Sequence, residues 1–344
     1  MPPPPRLLSI ATANPPYVLH QEDVRAFVRS VFPDQTTAID RLLPVYRNAG
    51  ISTRYSCVPL EWYADRHGWK DRQRLFLDNA LDLIESAAQD ALDKAGLKAA
   101  EIDAVVAVST SGIATPSLDA LLIERMGLRP DVSRLPIFGL GCGGGVIGLA
   151  RAADLAARGV VLFVVVELCG LTFRRDDVSK SNIVATALFG DGAAAAVIAA
   201  DGTGPAIVDS GEYTWPGTLD VMGWRVEEDG FGVLFSRDIP ALIRDRFGDA
   251  LASYLDAHGR SLADYDGFAC HPGGAKVVAA LEQVLELRPG AMREARAVLR
   301  DYGNMSAATV LFVLDRVLAG GARGRYLVSA LGPGFTAAFL TLEV

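Results

Sequence analysis

Cysteine and histidine are scarce in this chain of 344 residues, with four of each. The spacing of Cys57, Cys142, Cys169 and Cys270 fits neither a zinc site nor a disulfide scaffold. Four reduced thiols in a reducing compartment are the expectation. Long apolar runs are also lacking. The most apolar, Val160 to Val166, is far short of the ~20 residues of a membrane-spanning helix. Met1-Pro2-Pro3-Pro4-Pro5-Arg6 has no charged-then-apolar leader pattern, so the chain reads as a soluble cytosolic protein. With 33 basic against 41 acidic side chains and net charge -8, no basic run interleaves with aromatics. Nucleic acid is therefore excluded as the expected partner. Neither Gly143-Gly144-Gly145 nor Gly332-Pro333-Gly334 fits a dinucleotide or phosphate-loop pattern. No metal and no bound organic cofactor is expected.

Hydrophobic residues, in contrast, make up 50% of the chain, enough for a sizeable core. Apolar residues recur at helical spacing from Phe76 to Ala95. Ile102 to Val108, Leu135 to Leu140 and Val160 to Val166 read as apolar strands, with an alanine-rich helix at 146–157. The second half repeats this order. Helices are expected at 241–258, 277–287, 294–302 and 307–319, and strands at 265–269 and 326–330. Ala187-Leu188-Phe189-Gly190-Asp191-Gly192 resembles Ser329-Ala330-Leu331-Gly332-Pro333-Gly334, and Cys142 and Asn304 each precede an alanine-rich helix. Two related α/β halves facing each other are predicted, 1–205 and 206–344. Cys142 and Asn304 would then meet at the junction, with His271 arriving from a strand end.

Three glycine- or proline-marked turns carry the chemistry: Gly141-Cys142-Gly143, His271-Pro272-Gly273-Gly274 and Gly303-Asn304-Met305-Ser306. A thiol, an imidazole and a carboxamide supply a nucleophile, its base and an oxyanion donor. Alone, each has a plainer role: a buried cysteine, a packing histidine, a helix cap. Together they point to catalysis. Cys142, opening a helix beside an imidazolium, is expected to be a thiolate near neutral pH. Asp191 is expected only to shape its turn. Cys57, Cys169 and Cys270 read as small core residues.

These motifs, in this order, resemble the type III polyketide synthases, the chalcone synthase-like family of the thiolase fold. The strongest parts are Leu188-Phe189-Gly190-Asp191-Gly192-Ala193-Ala194, His271-Pro272-Gly273-Gly274, Tyr302-Gly303-Asn304-Met305-Ser306 and Gly332-Pro333-Gly334. The resemblance implies a five-layered αβαβα α/β fold and a homodimer. It implies Cys142 as nucleophile and His271 and Asn304 as its partners in catalysis. Phe189 falls on one gatekeeper position and Val233 on the second, where the family has phenylalanine. Thr115 falls where plant members carry the methionine that crosses the dimer interface, and Cys169 where they carry a pocket threonine. Thr110, Thr172, Ser306, Gly332 and Pro333 are further substrate-binding candidates. Arg47 and Arg54 lie near the family's CoA-phosphate cluster. The departures imply a more aliphatic cavity, and 54–63 and 167–173 look like bacterial makers of alkylresorcinols or alkylpyrones. Acyl-CoA and malonyl-CoA are the implied substrates. The nearest rival is a ketoacyl synthase III-like enzyme that uses a carrier protein. Its histidine usually precedes Gln-Ala-Asn, whereas His271 precedes Pro-Gly-Gly. A Cys-His-Asn hydrolase and a non-catalytic scaffold are more distant alternatives.

Overall fold

The computed structural model describes residues 3–32 and 36–344. Strands β1 (Arg6–Ala13), β2 (Tyr17–His20), β3 (Thr53–Ser56), β4 (Ala104–Ser109), β5 (Ser133–Phe138), β6 (Val161–Leu168) and β7 (Asp191–Ala199) belong to the first half. The second half holds β8 (Ala206–Thr214), β9 (Met222–Val226), β10 (Phe231–Phe235), β11 (Gly267–Cys270), β12 (Arg325–Gly332) and β13 (Thr336–Glu343). Nine of these run in the order β11-β12-β13-β8-β1-β7-β6-β4-β5. Among the described residues, the first-half and second-half strands meet only at the pair Arg6↔Ala206. Each half thus has its own sheet, parallel at one edge (β4 with β5 and β6; β11 with β12) and antiparallel beyond.

Two helices fill the space between the sheets. Gly144–Ala156 packs on β4 and β6 of its own half and on β12, β13 and β8 of the other. Thr309–Ala319 reaches β1 and β7 as well as β11 and β12. A helix that touches a sheet on either side has no face left for polar groups, which is why the first is almost wholly alanine, glycine and aliphatic. A side chain at Gly145 would strike the Ala307 carbonyl oxygen at 2.2 Å, so the close crossing of the two helices requires glycine there. Trp69–Ala95 covers β1, β6 and β7 from outside, and the helices of residues 243–257 and 275–284 lie outside the second half. The layers are therefore helix, sheet, helix, sheet, helix, the arrangement expected of the thiolase fold. Both central helices are entered from one of the three glycine- or proline-marked turns: Cys142 leads into one and Asn304 into the other.

The long outer helix begins at Trp69 rather than Phe76. Its first turns lack the apolar period and are held instead by buried Arg72, which donates to the His67 carbonyl at 3.0 Å and the Phe173 carbonyl at 2.7 Å. The expected helix at 241–258 contains a wider turn at Ile243–Phe247, between Ile239–Leu242 and Gly248–Ala257. The hairpin β9–β10 was not expected. Its alternation is short and interrupted by Glu227, Glu228, Asp229 and Gly230.

Candidate active site

Cys142, His271 and Asn304 line one small pocket with Met222, Phe235 and Leu331. Each side chain arrives from the end of a regular element. Cys142 lies in the tight turn Gly141–Gly143 before its central helix. His271 follows β11, its N–H bonded to the Ser329 carbonyl at 2.8 Å. Asn304 follows the helix Arg293–Tyr302. The Cys142 turn is clamped from two sides. The Gly141 N–H donates to Thr110 Oγ1 at 3.0 Å. Gly332 and Pro333 press on the other side: a Cβ at Gly332 would sit 2.5 Å from the Leu140 carbonyl, and one at Gly141 2.6 Å from Pro333 Cδ.

Asn304 is oriented by two bonds. Its Oδ1 accepts the Ser306 N–H at 2.8 Å, and its Nδ2 donates to the Gly273 carbonyl at 3.2 Å. The second Nδ2 proton is left over. Cys142 Sγ lies 3.9 Å from Asn304 Oδ1. Ser306 takes a positive φ of 46° to present its N–H this way. His271 is buried, and neither ring nitrogen has a hydrogen-bond partner among the described residues. A fourth buried group stands close by. Glu167 Oε2 accepts from the Thr110 and Ser111 N–H groups at 3.1 and 2.9 Å and from Ser111 Oγ at 2.7 Å. Burial pushes its carboxyl up to about 7.

The expected ready-made thiolate is corrected. Although part of its surface is accessible, burial by the surrounding protein pushes the Cys142 thiol up to about 12, opposed by hydrogen bonding with Ser306 and Asn304 and reinforced by Glu167. Burial alone holds His271 neutral, down to about 3. Burial disfavours both ions, so it pulls the pair toward thiol and imidazole. Because the thiol is raised, its thiolate grows only as pH climbs into the alkaline range. Iodoacetamide labelling of Cys142 should therefore keep accelerating beyond pH 9. A plateau reached near pH 7 would instead indicate a preformed ion pair with His271.

The remaining candidates divide. Cys169, Thr172 and Phe189 line a second, largely apolar cavity of about 50 Å³, with Val24, Phe27 and Phe173. Val233 lies on β10 directly opposite Trp224 on β9, and the Trp224 ring meets Phe189 edge-on with centroids 5.8 Å apart. Sequence reading missed Trp224. Thr115 is exposed and is not brought to Cys142 within one chain. Arg47 is exposed at the end of the helix Pro44–Asn48. The expectation for Arg54 fails: it is 3% exposed and bonded to backbone carbonyls, where no phosphate can reach it. The cations found instead are Arg41, Lys180, Arg237 and Lys276, all exposed, around a cleft of about 620 Å³. That cleft shares Phe235, Ile239, Gly273 and Val277 with the Cys142 pocket, so it leads inward to the thiol. Scattered over the sequence, these four give no local signal. Asp191 is more than a turn residue. It is fully buried and accepts the Cys57 and Gly170 N–H groups at 3.0 and 2.7 Å. Among the described residues no cluster could hold a metal ion, and no helix is long and apolar enough to cross a membrane.

Residues 4–202 match the family model described as chalcone and stilbene synthases, N-terminal domain, and residues 204–342 match its C-terminal counterpart. The chain belongs to the chalcone and stilbene synthases. A 1,3,6,8-tetrahydroxynaphthalene synthase of Streptomyces peucetius subsp. caesius is 39% identical, covering 97% of this chain and 92% of its own. A putative chalcone synthase of Bacillus subtilis (strain 168) is 36% identical over 97% of both chains. The crystal structure of the 1,3,6,8-tetrahydroxynaphthalene synthase from Streptomyces coelicolor A3(2), a bacterial type III polyketide synthase, superposes with a TM-score of 0.93 at 32% identity. It covers 98% of this chain and 99% of that one. This chalcone synthase-like protein is a type III polyketide synthase, a decarboxylating acyltransferase acting on CoA thioesters. The ketoacyl synthase III-like alternative is not favoured.

Proposed function

We propose that Cys142 is the acyl carrier and that His271 and Asn304 hold the enolate oxygen during chain extension. The observation that carries this reading is the single pocket into which all three side chains project. The Cys142 thiol gives its proton to His271 as Sγ attacks the thioester carbonyl of an acyl-CoA, and the CoA thiolate leaves with that proton. Malonyl-CoA then loses CO2, and the electron pair of the broken bond forms an enolate. Its oxygen receives hydrogen bonds from His271 and from the spare Nδ2 proton of Asn304, where the charge develops and stabilisation counts most. The enolate carbon attacks the Cys142 thioester and releases the sulfur for reloading. Phe189, with Trp224 against it and Val233 opposite Trp224, walls the passage and excludes water.

For the starter, the reading is a medium- or long-chain fatty acyl group, extended repeatedly and closed to an alkylpyrone or alkylresorcinol. The apolar walls of the cavity beside Phe189 (Leu19, Val24, Phe27, Val28, Leu60 and Phe173) favour hydrocarbon. A second reading is a small starter and a polyhydroxylated bicycle. It is favoured by the free volume of only about 50 Å³ and by the product named for the two Streptomyces relatives. Mass spectrometry of products from malonyl-CoA with short, aromatic and long acyl-CoAs decides between them. Alkylated rings from long chains support the first, and a tetrahydroxynaphthalene from malonyl-CoA alone supports the second. No condensed product from any pair overturns both.

The cleft ringed by Arg41, Lys180, Arg237 and Lys276 is the CoA phosphate site in this reading. Replacing Arg237 and Lys276 together by alanine should raise KM for malonyl-CoA roughly five- to tenfold with kcat little changed. An unchanged KM would remove these residues from phosphate binding. The proposed homodimer has its natural seam at β5, one of the two edge strands of the nine-stranded sheet. Phe138 on β5 is 56% exposed, and Ile113, in the loop after the neighbouring β4, is 50% exposed. Unpaired edges that carry apolar side chains favour association. Phe138→Asp should turn a dimer into monomers in light scattering. A wild-type chain that is already monomeric at micromolar concentration would contradict the seam.

A further inference from the structure

Strand β3 is short, yet its residues reach both the end of the helix that precedes Asn304 and the segment that pairs with the Asn304 backbone. The Ser52 N–H just before it donates to the Arg300 carbonyl at 2.7 Å. Thr53 Oγ1 donates to the Asp301 carbonyl at 2.7 Å. The Tyr55 ring stacks on Tyr302 with centroids 5.6 Å apart and planes 22° apart. Between Thr53 and Tyr55 lies Arg54, turned inward. Its Nη1 donates to the carbonyls of Thr186 and, at 3.2 Å, Phe189. Residues 188–190 in turn hold Asn304: the Asn304 N–H donates to the Leu188 carbonyl at 2.8 Å, and the Gly190 N–H to the Asn304 carbonyl at 3.0 Å. The stem of Arg54 fills the notch between these two segments. A Cβ added at Gly190 or at Gly303 would lie 3.3 or 3.4 Å from the Arg54 Cβ.

We propose that Arg54 is a positioning residue for Asn304, a splint that holds residues 186–190 of the first half and 303–304 of the second in one fixed crossing. The inference rests on the proposed role of Asn304 at the enolate oxygen. The guanidinium is suited to the task because it is a rigid fork that can hold two carbonyls with one nitrogen. Burial lowers Arg54 to about 10, with Tyr46, Tyr63 and Asp191 opposing the shift, so the cation persists at neutral pH. A hydrogen bond from a charged donor to a buried carbonyl is among the stronger ones available. If the crossing slackens, the Asn304 amide shifts relative to Cys142 and His271, and misplacement by about 1 Å can cost on the order of 10²-fold in rate. The Cys142 turn is held by Thr110, Gly332 and Pro333, none of which touches Arg54 through the contacts described above. Loading and decarboxylation should therefore separate.

The test uses full-length protein and two reactions: single-turnover transfer of an acyl group from acyl-CoA to Cys142, and CO2 release from malonyl-CoA. Arg54→Met should cut kcat for decarboxylation by about 10- to 100-fold at unchanged KM, with loading within about twofold of wild type. Arg54→Lys, which reaches one carbonyl at a time, should recover most of that loss. It also supplies the decisive comparison if the methionine variant does not fold. Wild-type decarboxylation in either folded variant, or equal losses in loading and decarboxylation, would overturn the inference. A wild-type protein that releases no CO2 from malonyl-CoA would overturn the functional reading itself, a result distinct from failure of the Arg54 variants alone.

Discussion

Cys142→Ala should abolish polyketide formation, with condensation reduced on the order of 10³-fold or more, while malonyl-CoA is still decarboxylated. The two steps use different groups. Condensation needs a covalent thioester on Sγ, which alanine cannot form. Decarboxylation needs an oxyanion site, and His271 and Asn304 remain in the same pocket. The substitution removes one sulfur from a turn held by backbone and by Thr110, Gly332 and Pro333, so the fold should persist. Product analysis and CO2 release are measured side by side. Condensation above about a tenth of the wild-type rate would move the nucleophile elsewhere. Of the other cysteines, Cys57, Cys169 and Cys270 are all buried and none lines the pocket of His271 and Asn304, so none offers a ready substitute.

Asn304→Ala should lower decarboxylation by about 10² to 10³-fold in kcat. It removes the spare Nδ2 proton aimed at the enolate oxygen. It also strips the acceptor from the buried Ser306 N–H, which costs about 1–3 kcal/mol of stability. Asn304→Asp separates the two effects. It keeps an acceptor for Ser306 but offers no N–H and places a negative charge against the developing enolate. A folded Asn304→Asp enzyme that loads acyl groups but releases no CO2 is the expected result. Near-normal CO2 release from that variant would remove Asn304 from the oxyanion site.

The triad was legible because chemistry and local geometry coincide. Cys142, His271 and Asn304 each occupy a turn marked by glycine or proline, and each turn joins elements whose periodicity shows in the sequence. The duplicated order of strands and helices was legible for the same reason: the central helices have almost no polar face, so apolar residues fill them. What could not be read depends on positions far apart in the chain. Arg41, Lys180, Arg237 and Lys276 meet at one cleft only after folding. Trp224 reaches Phe189 only because β9 pairs with β10 in the register that sets it opposite Val233. Arg54 was linked to the CoA phosphates by resemblance alone, and nothing local in the sequence shows that its side chain turns inward. For the Cys142 thiol, the helix start that favours a thiolate is visible in the sequence, whereas the burial that opposes it is not.

The central claim is that a chain grows on Cys142 by decarboxylative condensation, and intact-protein and peptide mass spectrometry of acid-quenched turnover tests it most directly. With acyl-CoA alone, the peptide containing Cys142 should carry the starter acyl group. With malonyl-CoA added, the same peptide should carry that group lengthened by successive two-carbon ketide units, and Cys142→Ala protein should carry neither. Malonyl-CoA consumed into product while Cys142 stays unmodified, or a loaded acyl group that is never lengthened, would contradict the account.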